Sequence, residues 1–307
     1  APNPAFGATF TYYLAEEVMS SKDARRKVEK EKEAKNEYVV AADWNTVIAE
    51  SREDAPAIVF LGENVDGTII DQVVAPATAG FNRVAWDLRY PSVEPWEPVP
   101  EGEEAHEGAG ILIIPGSYAV SMHKRVNGEM VDLGQKQTFN VVSIRPDPAI
   151  EGSSQQQRVI FEAQVDELLR AAAGSSEAVD AVIGELDAVK ATLHRSMTDG
   201  SLYELAHSIQ QSLKASNEKL TDNELRDAYN DLAIMSVQAR LWHARFDPSS
   251  SAHGPTAAQK ESLRIARKLY DETVAELTQL VDGDYAALKE AMDIAKVPWT
   301  PGRGIQE

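Results

Sequence analysis

Two periods of apolar residues divide the chain. Up to about residue 145 the apolar positions alternate with polar ones or run in short blocks, the patterns of β-strands. Ala8-Thr9-Phe10-Thr11-Tyr12-Tyr13 is rich in strand formers. Ile58-Val59-Phe60-Leu61 reads as a short buried strand. Asn64-Val65-Asp66-Gly67 reads as a turn that returns the chain into a strand over 68–74. Residues 82–88 alternate, which places Val84, Trp86 and Leu88 on one face. Pro115-Gly116 opens a strand over 117–122 with Tyr118, Val120 and Met122 on one side, Asn127-Gly128 predicts a hairpin turn, and 137–143 closes the set. Short strands at this spacing predict an antiparallel sandwich.

Two stretches interrupt the alternation. From Ser20 to Glu37, Arg25, Arg26, Lys27, Lys30 and Lys32 interleave with Asp23, Glu29, Glu31 and Glu33. Helix propensity is high there and an apolar face is nearly absent, so we expect a solvated helix. From Pro91 to Gly110 four prolines and six glutamates surround Trp96 and predict a long exposed loop.

Beyond Arg145-Pro146-Asp147-Pro148 the period becomes 3.6. Ile160, Ala163, Leu168 and Ala171 mark one helix. Val179, Val182, Leu186, Val189 and Leu193 mark a second, and Leu202, Leu205, Ile209 and Leu213 a third. A long fourth runs from Leu225 through Tyr229, Leu232, Met235, Ala239 and Trp242 to Phe246. Leu263, Ala266, Tyr270, Val274, Leu277 and Val281 mark a fifth, which Thr256 and Gln259 open as a capping box. One-sided stripes joined by short polar loops favour an antiparallel bundle. The expected class is therefore α+β. A β-sandwich over residues 1–148 carries an N-terminal strand and a charged helical insertion at about 20–37. An α-helical bundle over 149–307 ends in a proline-rich tail. That tail, through Pro298 and Pro301, cannot be helical and is expected to lie on another surface with Trp299 as its anchor.

Charge narrows the partners. Forty-nine acidic against 30 basic side chains give a net charge of −19, spread over both halves. Phosphate backbones need a basic surface, so nucleic acid is not an expected partner. No apolar run approaches the roughly 20 residues of a membrane helix, so no membrane insertion is expected. Cysteine is absent from the 307 residues, which removes disulfides, thiol nucleophiles and thiolate metal sites. The opening Ala-Pro-Asn-Pro-Ala-Phe-Gly has no basic or apolar region of a signal peptide and reads either as a processed mature terminus or as a downstream part of a longer polypeptide.

Candidate chemistry is sparse. Histidines stand at 106, 123, 194, 207, 243 and 253, none in the helical pair that places two ligands one turn apart. No Gly-x-Ser-x-Gly elbow occurs. The expected catalytic, cofactor-binding and metal residues are none. The residues singled out for partner or glycan contact are Trp96, Tyr90 and Trp299, since sugar rings stack on aromatic faces. Trp86, at mid-strand, is expected in the core.

Several segments together carry a resemblance. Phe6-Gly7-Ala8-Thr9-Phe10-Thr11-Tyr12-Tyr13-Leu14, Gly80-Phe81-Asn82-Arg83-Val84-Ala85-Trp86-Asp87-Leu88-Arg89-Tyr90-Pro91, Pro115-Gly116-Ser117-Tyr118-Ala119-Val120 and Gly254-Pro255-Thr256-Ala257-Ala258-Gln259 resemble the region that follows the β-propeller in bacterial sortilin-like or BNR-repeat "glycosyl hydrolases". The Asp-Gly hairpin and the Trp86-Asp87-Leu88 and Pro-Gly-x-Tyr strands also resemble the immunoglobulin-like module of flagellar hook-capping proteins. The resemblance implies an immunoglobulin/fibronectin-III-like sandwich, bacterial export to the periplasm or exterior, and an N-terminal β-propeller, on the same or a separate chain, as partner. The propeller, where any hydrolase activity would reside, has no counterpart among these residues, which contain no internal repeat. The leading expectation is a non-catalytic C-terminal accessory or interaction module, able to form homo-oligomers. A carbohydrate-binding module and a glycoside hydrolase with paired Asp or Glu are the alternatives.

Overall fold

The computed structural model describes residues 6–95, 110–143, 154–229, 235–245 and 255–305. The chain is α+β, with two antiparallel sheets and a set of helices. It divides into two compact units, residues 1–91 with 109–146 and residues 92–108 with 147–307.

The first unit holds the strands. β1 (Ala8–Leu14) and β4 (Gly80–Trp86) form a two-stranded sheet. A four-stranded sheet has the order β3 (Ile69–Ala75), β2 (Ala57–Glu63), β5 (Gly116–Val126), β6 (Glu129–Val141). Alternation decides what each strand buries. Tyr12 on β1 meets Ile58 and Phe60 of β2, Ala75 of β3 and Val120 and Met122 of β5 in one apolar cluster. The buried Tyr12 hydroxyl donates to the Pro76 carbonyl at 2.6 Å. A second cluster gathers Ile70, Trp86, Ile113 and Tyr118. Trp86 is 2% exposed, so the expectation of a core tryptophan holds.

Two strand readings change. Leu88 packs against the Trp86 cluster as expected, but it lies past the end of β4 with φ +62°. β5 and β6 are longer than their patterns suggest, because residues 129–136 are exposed apart from Leu133 and carry no apolar alternation to read. Between Met122, opposite Gln135, and His123, opposite Asp132, β6 gains two unopposed residues, and Gly134 adopts φ +68° there.

The charged insertion forms α1 (Ser21–Ala34), which buries no residue; beyond it stands a second helix that the sequence pattern did not predict, α2 (Trp44–Glu50). The Arg25 guanidinium makes two 2.6 Å bonds to Glu50 and one to Glu29. This fork joins the two helices in place of an apolar seam.

The second unit is helical. α3 (Gln155–Leu193) runs 39 residues without a break, where the sequence predicted two helices. The buried stripe continues through the gap, because Ser176 occupies the position between Ala172 and Val179 and is itself buried. α4 (Ser201–Thr221) packs on α3. The expected fourth helix is divided into α5 (Glu224–Ala228) and α6 (Val237–Ala244). Ser236 takes the N-cap of α6, its hydroxyl accepting from the Ala239 N–H and its own N–H donating to Asp222. Leu232 and Phe246 lie outside the described residues. α7 (Ala257–Thr278) begins at the predicted capping box. It passes through a π-helical stretch (Gln279–Tyr285) into α8 (Ala286–Ile294). Gln210, 1% exposed, is fully satisfied: its amide donates to the Ile183 carbonyl and Asp187, and its oxygen accepts from Lys190.

The tail corrects another expectation. Val297, Thr300 and Arg303 are buried and Trp299 is 56% exposed, so Trp299 is not the anchor. Arg303 pairs with Asp293 and donates to the carbonyls of Val297 and Pro298. Its aliphatic stem and five donors satisfy a surface that an indole would only cover.

Candidate functional site

The four-stranded sheet assembles one polar constellation. Alternation places Glu63 of β2, Ser121 and His123 of β5 and Lys136 of β6 on the face opposite the Phe60–Met122 cluster. Ser121 Oγ lies 3.0 Å from both Glu63 Oε1 and His123 Nε2, and Lys136 Nζ lies 2.7 Å from Glu63 Oε2. The ammonium holds the Glu63 carboxyl below its ordinary range against the opposing effect of burial. An ionised Glu63 accepts, so the single Ser121 proton is spent on it. His123 Nε2 must then donate to Ser121, and the imidazole is not a base toward that hydroxyl. Nucleophile activation requires the reverse direction. The network ties three strands together.

Its pH dependence follows from the sign of the shift. A depressed folded pKa contributes stability above the unfolded carboxylate value, lost as pH falls through the folded value. Glu63→Gln is expected to lower the unfolding free energy of the first unit at pH 7, on the order of 1 kcal/mol. The deficit should shrink toward zero on acidification below pH 4. Urea unfolding at both pH values checks this, and a deficit independent of pH refutes it.

The two-stranded sheet assembles the second feature. Tyr13 and Phe81 are direct cross-strand partners, with ring centroids 5.0 Å apart and tilted by 54°. They are 59% and 83% exposed. Phe10, Tyr12, Val84 and Trp86 point to the opposite face and hold the strands in the core. Thr11 and Arg83 pair alongside on the outer face. Sequence reading passed over this pair. The signal was present in the alternation itself, since an inward Tyr12 makes Tyr13 an outward aromatic.

The residues singled out from sequence separate. Tyr90, in the first unit, is partly buried against the Trp86 cluster. Trp299 belongs to the second unit, exposed, its indole N–H shared between the carbonyls of Arg303 and Gly304. Trp96 lies outside the described residues, as do His106 and His253. His194 is exposed beside Tyr203, and His207 and His243 are exposed. Among the described residues no group of three His, Asp or Glu is arranged to hold a metal ion.

In the second unit Glu162 and Asp166, one turn apart on α3, are both buried. Burial raises the Asp166 carboxyl, and Arg245 opposes that rise from 3.8 Å, beyond hydrogen-bond reach. Among the described residues no helix is long and apolar enough to cross a membrane.

Comparison with protein-family models, with curated proteins and with solved structures returned no match.

Proposed function

We propose that the chain is a non-catalytic accessory or interaction module, and that its contact face is the Tyr13–Phe81 side of the β1–β4 sheet. The observation that carries this reading is the exposed, mutually contacting aromatic pair on strands whose opposite face is buried. Exposed aromatics on a fixed scaffold gain contact area at small entropic cost. The proposed architecture is an immunoglobulin-like sandwich joined to an antiparallel bundle. One apolar cluster fed by both sheets supports the sandwich. The short connection over residues 194–200 between the packed helices α3 and α4 supports the bundle. The proposed partner is a β-propeller, which the sequence resemblance implies, in an exported protein.

The upstream coding sequence tests the proposal first. A propeller encoded there, co-expressed with this chain, is expected to co-elute with it. Tyr13→Ser with Phe81→Ser should abolish co-elution and leave thermal unfolding within about 2 °C, as for other surface changes. An upstream frame without a propeller, or a substituted chain that still co-elutes, overturns the proposal.

The same pair favours a second reading, a carbohydrate-binding module. Retention on a glycan array at millimolar sugar, lost with both substitutions, selects that reading. A chain that binds no glycan removes it.

A further inference from the structure

The second unit carries a groove of about 650 Å³ between α3 and α7. Phe161 and Leu263 form its floor. Lys260, Arg264, Arg267 and Lys268 line it along α7, with Asp271 and Glu272 at one end. Over residues 260–268 there are four cations against Glu261, in a chain of net charge −19. Two of these cations are engaged: Arg264 makes a two-bond fork to Glu261, and Lys268 lies 3.7 Å from Glu272. The side chains of Lys260 and Arg267 are exposed and meet no anion among the described residues.

The sign order runs against the helix. Lys260 sits in the first turn of α7, where the macrodipole favours an anion, and the acids follow toward the other end. At 1.5 Å per residue the stretch from Lys260 to Glu272 spans about 18 Å, the length of a medium-sized organic molecule. A groove of this volume, with an apolar floor and a few convergent charges, matches a small-ligand site.

We propose that this groove binds an amphipathic organic anion. The anionic head, a phosphate, sulfate or carboxylate, lies between Lys260 and Arg267, and the apolar body lies over Phe161 and Leu263. Asp271 and Glu272 repel a head at the far end and so fix the ligand's direction. Arg267 supplies the planar fork that suits such heads, and Lys260 a point charge.

Titration calorimetry on the full chain tests this with decyl phosphate below its micelle concentration. Binding is expected, weakened at least about tenfold by Lys260→Glu with Arg267→Glu, which removes both charge-assisted contacts to the head. Both residues are exposed, so unchanged thermal unfolding confirms that the variant is folded. Inorganic phosphate should bind more weakly than decyl phosphate, and decyl maltoside more weakly still. Co-sedimentation with phosphatidylglycerol vesicles, lost in the same variant, would support the site and assign the head to a lipid rather than to a free amphiphile. No binding of decyl phosphate, equal binding of the maltoside, or equal binding by the doubly reversed chain overturns the proposal.

Discussion

Trp86→Ala is expected to remove about 3–5 kcal/mol from the stability of the first unit, the range for deleting a buried aromatic ring. The indole is 2% exposed and joins three kinds of contact. Tyr118 and Phe139 meet it edge-on, with centroids 6.3 and 6.1 Å away. Its N–H donates to the Arg89 carbonyl at 3.0 Å. Its far edge lies over Gly62, where an added Cβ would stand 3.1 Å from the ring. Alanine leaves a void against a flat glycine strand and orphans the Arg89 carbonyl. Domains hold only about 5–15 kcal/mol in total. Denaturant unfolding should therefore show an early transition for residues 1–91 and 109–146, with the helical transition unmoved. A first-unit midpoint equal to the parent's sinks the argument.

Gly302→Val is the second large effect, about 2–4 kcal/mol in the helical unit. Gly302 adopts φ +80°, which a β-branched residue resists. A Cβ there would fall 2.0 Å from Glu185 Oε2 and 2.8 Å from the Tyr285 hydroxyl. Those two groups are bonded to each other at 2.8 Å, and Tyr285 is 1% exposed. Burial and the neighbouring carboxylate push the phenol well above its ordinary range, so it stays a donor at any working pH. The valine must displace Glu185 and strand the phenol, or lift the tail and strip Val297 and Arg303 of their cover. Gly304→Ala is the control, since an added Cβ meets nothing within 4 Å there. Calorimetry should place Gly302→Val well below that control, and equal melting temperatures refute the account.

Much of the fold was legible because burial imposes its period on the residues. Trp86, Tyr118 and Val120 alternate with small or polar neighbours, and the buried helix stripes recur every three or four positions. Legibility failed where a polar residue served an apolar role or an apolar one did not. Ser176 is buried in the α3 stripe and made one helix look like two. Ser236 ended a run that Met235 and Ala239 seemed to continue, because its cap and its bond to Asp222 are tertiary facts. The Glu63–Ser121–Lys136 network was invisible for a different reason. Its members lie 58 and 73 residues apart and meet only through strand order. Tyr13 stands in a run of strand formers and Phe81 just before the alternating residues 82–88, and their pairing depends on a β1–β4 register that no local pattern encodes.

The irregular outer strand β6 has a consequence for solubility. It is an edge of the four-stranded sheet, with one row of backbone donors and acceptors unpaired within that sheet. Such rows template stacking of one molecule on another. Here the row is bent by the two unopposed residues at Leu133 and Gly134 and set with Glu129, Asp132 and Lys136. A neighbouring strand would have to follow that bend and place its own side chains against charges of both signs, which disfavours edge-to-edge pairing along this side.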